Sequence, residues 1–337
     1  MTRSTRRRML AGAAAGLLGT SLGVAVSGPA TAAPGGAGVR ACTINTLPYP
    51  ADTYRADASA VDPTGRFVAG TALRVGEVDN QYLLLFWDGQ QVTEVEAPGM
   101  SDPVDINADG VVIGNGSAAG TGIGQPWRYR NGKLEQLPVL PSTGIFVTAI
   151  NDAGDIVGYG SDIVAGEWVG LRWPAARPDT VEVLDAPVNA QPTGITANGT
   201  IVGYAGPFGD WSGWVRRPNG RIDALTVPGG GSTTVAAAAG RWAIGQVWLG
   251  GTSPTKVRWD LRNGSYTTLD QELPGLTDVN VKGVVVGGDR VSRGSTSRVL
   301  PGGGDRVGIG AQSIADTGTI VGFRNGDRVT PVRWTGC

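Results

Sequence analysis

The stretch Ile150-Asn-Asp-Ala-Gly-Asp-Ile-Val-Gly158, followed after a loop by Leu171-Arg-Trp173, decides the fold because it recurs along the chain. Upstream stand Val61-Asp-Pro-Thr-Gly-Arg-Phe-Val-Ala-Gly70 and Ile106-Asn-Ala-Asp-Gly-Val-Val-Ile-Gly114. Downstream come Ile195-Thr-Ala-Asn-Gly-Thr-Ile-Val-Gly203, Ala239-Gly-Arg-Trp-Ala-Ile-Gly245, Val279-Asn-Val-Lys-Gly-Val-Val-Val-Gly287 and Ile314-Ala-Asp-Thr-Gly-Thr-Ile-Val-Gly322. The first glycines fall at Gly65, Gly110, Gly154, Gly199, Gly240, Gly283 and Gly318, at intervals of 45, 44, 45, 41, 43 and 35 residues. Self-similarity at such a period marks a repeat architecture.

Each copy has the physics of a β-hairpin. An apolar strand runs into Asn/Asp-x-x-Gly, where the Asx side chain caps its own turn and Gly supplies a positive φ. A β-branched strand follows, ending on a Gly that permits a close backbone approach. After a variable loop comes a third strand centred on Trp87, Trp127, Trp173, Trp214, Trp259 or Trp334, with Arg298-Val299-Leu300 in the sixth copy. Tight-turn signals such as Asn131-Gly132, Asn219-Gly220 and Asn263-Gly264 then lead into a fourth strand that ends in Pro. Four antiparallel strands per repeat make one propeller blade.

The termini distinguish a closed ring from an open solenoid. The last copy stops at Val332-Arg-Trp-Thr-Gly-Cys337 with three strands. Near the start, Cys42-Thr-Ile-Asn-Thr-Leu-Pro48 matches a fourth strand of the Glu135-Gln-Leu-Pro138 kind. The expected fold is therefore all-β: a seven-bladed propeller over 42–337, its last blade closed by the N-terminal strand. The same alignment sets the only two cysteines, Cys42 and Cys337, across the turn position of that composite hairpin, where they pair as a disulfide outside the cell.

Residues 1–32 read as a signal peptide. Arg3 and Arg6-Arg7-Arg8 form a basic start, an apolar stretch runs from Met9 to Val26, and Ala30-Thr31-Ala32 has the form of a cleavage site. Thr5-Arg6-Arg7-Arg8-Met9-Leu10 resembles a twin-arginine export signal. Residues 33–41 form a flexible segment. Cys42 lies well outside the apolar run, so it is no lipoprotein cysteine. The expected location is extracellular, with no membrane anchor after cleavage.

Composition narrows function by exclusion. The chain has no His, which removes much of catalytic and metal-site chemistry. Without the four Arg of the leader, 24 basic residues stand against 29 acidic ones. A mildly acidic surface with three Lys suits nucleic acid poorly, because affinity there comes from neutralised phosphates. Asp105-Ile-Asn107-Ala-Asp109-Gly110 has the look of a calcium loop, but the closing bidentate Glu is replaced by Gly116. No metal, cofactor or catalytic motif is expected.

The repeat Ile-Asn-Asp-x-Gly-x-Ile-Val-Gly, then x-x-x-Trp, resembles the HAF family of extracellular repeats, most closely over Ile150–Gly158 with Leu171-Arg-Trp173. The family's His-Ala-Phe element is absent, replaced by forms such as Lys256-Val-Arg-Trp259. The resemblance implies an exported repeat protein and carries over no catalytic residues.

Strand order separates two faces. The tight hairpins lie on one, and the variable loops with the links between blades lie on the other, which is free to bind. The candidate ligand contacts there are Glu77, Asp79, Asp162, Glu167, Trp168, Asp210, Trp211, Trp248, Asp289, Arg290, Arg293 and Asp327. The expected function is a monomeric binding module whose ligand is an extracellular polysaccharide or protein. The alternatives are a glycan-active enzyme using loop carboxylates and a passive envelope or matrix protein. Replacing Arg6, Arg7 and Arg8 with Lys should leave precursor inside the cell in a fractionation assay. Unchanged secretion would retire the twin-arginine reading.

Overall fold

The computed structural model describes residues 41–76, 80–97, 100–117, 124–141, 144–162, 167–250, 253–303 and 308–337. The leader and nearly all of the segment after it lie outside them. Within them the chain forms seven four-stranded antiparallel sheets, each one blade. Blade I comprises Thr53–Val61, Phe67–Arg74, Gln81–Asp88 and Gln91–Glu96; blade II comprises Met100–Ile106, Val112–Ser117, Gly124–Arg130 and Lys133–Gln136. Blade III is Gly144–Ile150, Ile156–Asp162, Glu167–Trp173 and Glu182–Val183. Blade IV is Gln191–Ile195, Ile201–Ala205, Ser212–Arg216 and Ile222–Leu225. Blade V is Thr233–Ala239, Trp242–Val247, Thr255–Asp260 and Tyr266–Thr268. Blade VI is Asp278–Val279, Val284–Gly287, Arg290–Arg293 and Thr296–Val299. Blade VII takes Ile309–Ile314, Ile320–Arg324 and Thr330–Thr335 from the C-terminus and Thr43–Thr46 from the N-terminus.

The closure has the expected register. Thr43 pairs with Thr335, Ile44 with Trp334, Asn45 with Arg333 and Thr46 with Val332. Beyond this ladder Cys42 and Cys337 form a disulfide, with Cα atoms 4.4 Å apart.

The repeated residues explain themselves locally. Gly154 has φ 84°, a value its turn requires and a side chain resists. Gly158 faces a β-bulge between Val147 and Ala149, and a Cβ there would strike the Phe146 carbonyl. The six recurring Trp are core, between 0% and 3% exposed. Their indoles also tie blades together. Nε1 of Trp87, Trp173 and Trp334 donates to the carbonyl of Pro48, Pro138 and Pro301, at 2.6, 2.7 and 3.0 Å. Each of those prolines follows the outer strand of the preceding blade, so the Pro ending of strand four and the Trp of strand three form one contact.

Turn residues couple neighbouring blades in the same way. Asn151 Oδ1 accepts the Asp155 N–H at 2.9 Å, while its Nδ2 donates to Thr196 O at 3.3 Å on the next blade. Asn107 and Asn280 repeat the reach, to Asn151 O at 3.2 Å and Ala315 O at 3.0 Å. On the innermost strands, Asp105 accepts N–H from Ile106 at 2.8 Å and from Ile150 of blade III at 2.9 Å. Asp278 accepts from Val279 at 2.7 Å, and from Ile314 and Ser313 Oγ of blade VII at 2.8 Å each.

Blade VI corrects one reading of the sequence. Its third strand is Arg290–Arg293, and Arg298-Val299-Leu300 closes the fourth. The connection between strands two and three is only Gly288-Asp289, with Gly288 at φ 54°. The missing Trp removed the anchor for alignment, and a two-residue hairpin turn passed for the start of a long loop. Arg290 and Arg293 are thus strand residues, and this missing loop accounts for the short 35-residue interval.

Two expectations follow. Replacing Cys42 and Cys337 with Ala should lower Tm by on the order of 10 °C, since the bond closes a long chain loop. Deleting 42–50 should instead cause aggregation, seen by light scattering, because the edge of blade VII loses its partner. The second concerns pH. Burial pushes the Asp105 carboxyl up to about 7, with Asp278 and Asp152 adding repulsion. Burial likewise pushes Asp278 up to about 6, with Asp316 nearby. A carboxyl raised above its unfolded value stabilises the fold when protonated, and that contribution is lost as pH rises through the folded value. Tm should therefore fall between about pH 4 and 7, from the unfolded carboxyl range up to the folded values, and Asp105→Asn with Asp278→Asn should flatten that slope. An unchanged slope in the double variant would refute this account.

Candidate functional site

Two features could receive a ligand: the central channel and the loop-rich face. The channel cavity, about 360 Å³, is lined by the innermost strands of all seven blades and opens among their first hairpin turns. Its lining includes Ser59, Thr148, Thr193, Thr277 and Gln312, with carboxylates from Asp105, Asp152, Asp278 and Asp316. These acids already have structural work. Asp105 and Asp278 join blades as described above. Asp152 Oδ1 accepts the Ala108 N–H at 3.0 Å, and Asp316 Oδ1 accepts that of Val281 at 2.9 Å. Among the described residues no group of three such side chains could hold a metal ion.

The loop-rich face carries an aromatic cluster on blades III to V. Trp211 is its hub, with ring centroids 5.9 Å from Tyr204, 5.4 Å from Phe208 and 6.5 Å from Trp248. On blade III, Tyr159 lies 5.5 Å from Phe146 and 5.3 Å from Trp168. Burial holds the phenols of Tyr159 and Tyr204 above their usual pKa, with Tyr204 adding to the rise at Tyr159. Tyr204 Oη is 2.9 Å from Gln191 Oε1, to which it donates. Phe208 is 96% exposed and Leu249 beside Trp248 is 47% exposed. Phe208 adjoins the partly exposed Trp211, which meets Trp248, so the exposed apolar surface here is a patch rather than a scattered single residue, the kind that marks an interaction site.

The candidates fall into three groups. Glu167 and Trp168 stand on blade III beside Tyr159, and Asp210 precedes Trp211, which meets Trp248 of blade V; Glu167 and Asp210 are exposed. Trp168 stands on a strand rather than in a loop, paired with Ser161. Asp289, Arg290, Arg293 and Asp327 belong to blades VI and VII, outside the cluster. Arg290 is turned along its own blade, donating to Ser297 Oγ at 3.2 Å. Arg293 donates to the Cys337 carbonyl at 2.9 Å. Asp327 borders an open hollow with Tyr49, Arg324 and Arg328. Glu77 and Asp79 lie outside the described residues, as does the side chain of Asp162.

Sequence reasoning missed Tyr159, Tyr204 and Phe208. The tyrosines were legible, since each directly follows the repeat's closing glycine, as Gly158-Tyr159 and Gly203-Tyr204. Phe208 carries no repeat signal.

No family model and no curated protein matches this chain. Among solved structures it is similar to the β-propeller domain of the Trilobed protease from Pyrococcus furiosus, at TM-score 0.61 and 10% identity, over 84% of this chain and 96% of that one. That domain is described as having an open velcro topology, whereas here Thr43–Thr46 closes the last blade. The chain is also similar to a prolyl endopeptidase at TM-score 0.58 and 11% identity, and to the acylaminoacyl peptidase of Pyrococcus horikoshii at 0.54 and 12%. It covers 83% of itself in both comparisons but only 50% and 52% of those longer proteins. At such identities the likeness establishes the propeller fold alone.

Proposed function

We propose that this protein is an exported binding module that takes its ligand on the loop-rich face of blades III to V. The observation that carries the reading is the Tyr204–Phe208–Trp211–Trp248 cluster, which leaves Phe208 almost wholly in water. Scaffold needs do not explain it, because the core Trp of every blade that has one lies elsewhere, deep between sheets. The opposite face favours a structural role, its turn side chains being spent on bonds to the neighbouring blade. The basic leader, the small-x-small site after it and the disulfide together support export. The repeat pattern supports kinship with the HAF repeats.

The reading has a direct test. Phe208→Asp with Leu249→Asp places charge on the loop-rich face, and Asp109→Lys with Lys133→Glu alters exposed hairpin turns on the other. Both pairs should keep the parent Tm. In pull-down against polysaccharides, cell-wall fragments and purified surface proteins, only the first pair should lose its ligand, by tenfold or more. Loss confined to the hairpin-face variant would overturn the assignment.

A further inference from the structure

The aromatic cluster contains one unit built twice. On blade III, Trp168 pairs with Ser161, three residues beyond the closing Gly158. On blade IV, Ser212 pairs with Ala205, so Trp211 stands opposite Gly206, again three residues beyond the closing glycine, Gly203. Each Trp is preceded by an acid, as Glu167-Trp168 and Asp210-Trp211. Each stands edge-on to the tyrosine that follows the closing glycine, at 77° for Tyr159 and 67° for Tyr204. Each backbone N–H is held by a side chain from the link into the next blade, Asn189 Oδ1 and Ser232 Oγ, both at 3.0 Å. The fold does not demand this arrangement. Blade I has Tyr82 at the equivalent position and blade II has Gly124.

We propose that these are two equivalent subsites for a linear polysaccharide that carries no carboxylate, phosphate or sulfate. The proposal rests on the loop-rich face being the binding surface. Two like sites on successive blades fit a ligand that itself repeats, and a folded protein partner has no reason to present the same contact twice. A pyranose ring has an apolar C–H face and a rim of hydroxyls. The indole takes the first by stacking, and the adjacent carboxylate accepts hydrogen bonds from the second. Charge sets the class of polymer. Segments 159–169, 184–190, 204–211 and 226–232 contain no Lys or Arg, and the two exposed acids repel a polyanion. Joining two weak contacts through one chain raises affinity without any new contact.

Affinity electrophoresis in gels holding hydroxyethylcellulose, a soluble β-glucan or glycol chitin tests this, with alginate as the acidic comparison. The parent should be retarded by at least one neutral polymer and not by alginate. Trp168→Ala and Trp211→Ala should each weaken that retardation about tenfold, and the double variant should abolish it. Trp168→Phe keeps a stacking face and should retain most of the affinity, which separates loss of the platform from loss of fold. No retardation by any neutral polymer overturns the proposal, as does undiminished retardation of the double variant or a preference for alginate. A proline-rich peptide or protein ligand lost in the Phe208→Asp pair would also overturn it, while leaving the binding-face assignment standing. If no ligand of any class depends on that pair, the assignment itself fails.

Discussion

The structure depends on one strand-to-strand ladder, the four pairs between Thr43–Thr46 and Thr330–Thr335. Without it, the last strand of blade VII would present a row of unpaired N–H and C=O groups to water and to other chains. The same segment does more than finish a sheet. Directly after the ladder, Leu47 is buried with Trp87, Leu83, Ala315 and Val321, side chains from blades I and VII. Pro48 then gives its carbonyl to the Trp87 indole at 2.6 Å. A few residues therefore complete one blade and seat the next. Cys42–Cys337 fixes the far end of this ladder, so the seam is held by backbone bonds, packing and one covalent link together.

The remaining blade contacts are variations on that seam. Trp173 and Trp334 meet the Pro138 and Pro301 carbonyls in the same way, with Leu137 and Leu300 filling the apolar gap as Leu47 does, whereas the Trp259 indole donates to Thr226 O at 3.3 Å. The inner strands cannot pair as sheets across the blade boundary, so their free N–H groups need side-chain acceptors. Blades II and VI supply Asp105 and Asp278, and blade VII supplies Ser313 Oγ to Val61 N at 3.3 Å. One position earlier a second bond crosses the boundary, Thr148 Oγ1 of blade III donating to Pro192 O at 2.9 Å and Thr277 Oγ1 of blade VI to Ala311 O at 3.1 Å. Any residue that satisfies the hydrogen bond will serve, which is why these positions drift between repeats while the turn glycine does not.

The legibility of the sequence follows from this physics. Gly154, Asn151 and Trp173 answer to backbone geometry and close packing, constraints that every blade shares, so they recur and can be aligned. Ring closure was legible because Cys42–Pro48 has the form of the missing fourth strand. Blade VI was misread because its third strand has no Trp, and a Gly288-Asp289 turn replaced the loop that spacing led one to expect. On the loop-rich face, Trp168, Trp211 and Trp248 stood out as aromatics outside the strand-three Trp position of the repeat. Their ring contacts were not legible, since Trp211 meets Trp248 only because blades IV and V are neighbours, and Trp168 and Trp211 each stand against a tyrosine, Tyr159 and Tyr204. Asp105 was conspicuous as part of an acidic motif, yet its partner is the Ile150 N–H of another repeat, 45 residues away.

The two faces of the ring consequently carry different physical constraints. On the hairpin side, Asn107, Asn151, Asn280, Asp152 and Asp316 all bond to a neighbouring blade, so a change at any of them disturbs a seam. On the loop side the side-chain bonds differ from blade to blade, such as Asn189 Oδ1 to the Trp168 N–H and Tyr204 Oη to Gln191 Oε1. Blade III and blade IV hold Trp at the position where blade II holds Gly124, with the same sheet in each case. The turn glycine thus recurs in all seven blades, while the loop-side residues do not. A break that preserves its own internal repeat, acid before Trp and Tyr beneath it on two successive blades, is not what drift at free positions produces. It is what a repeating partner would select.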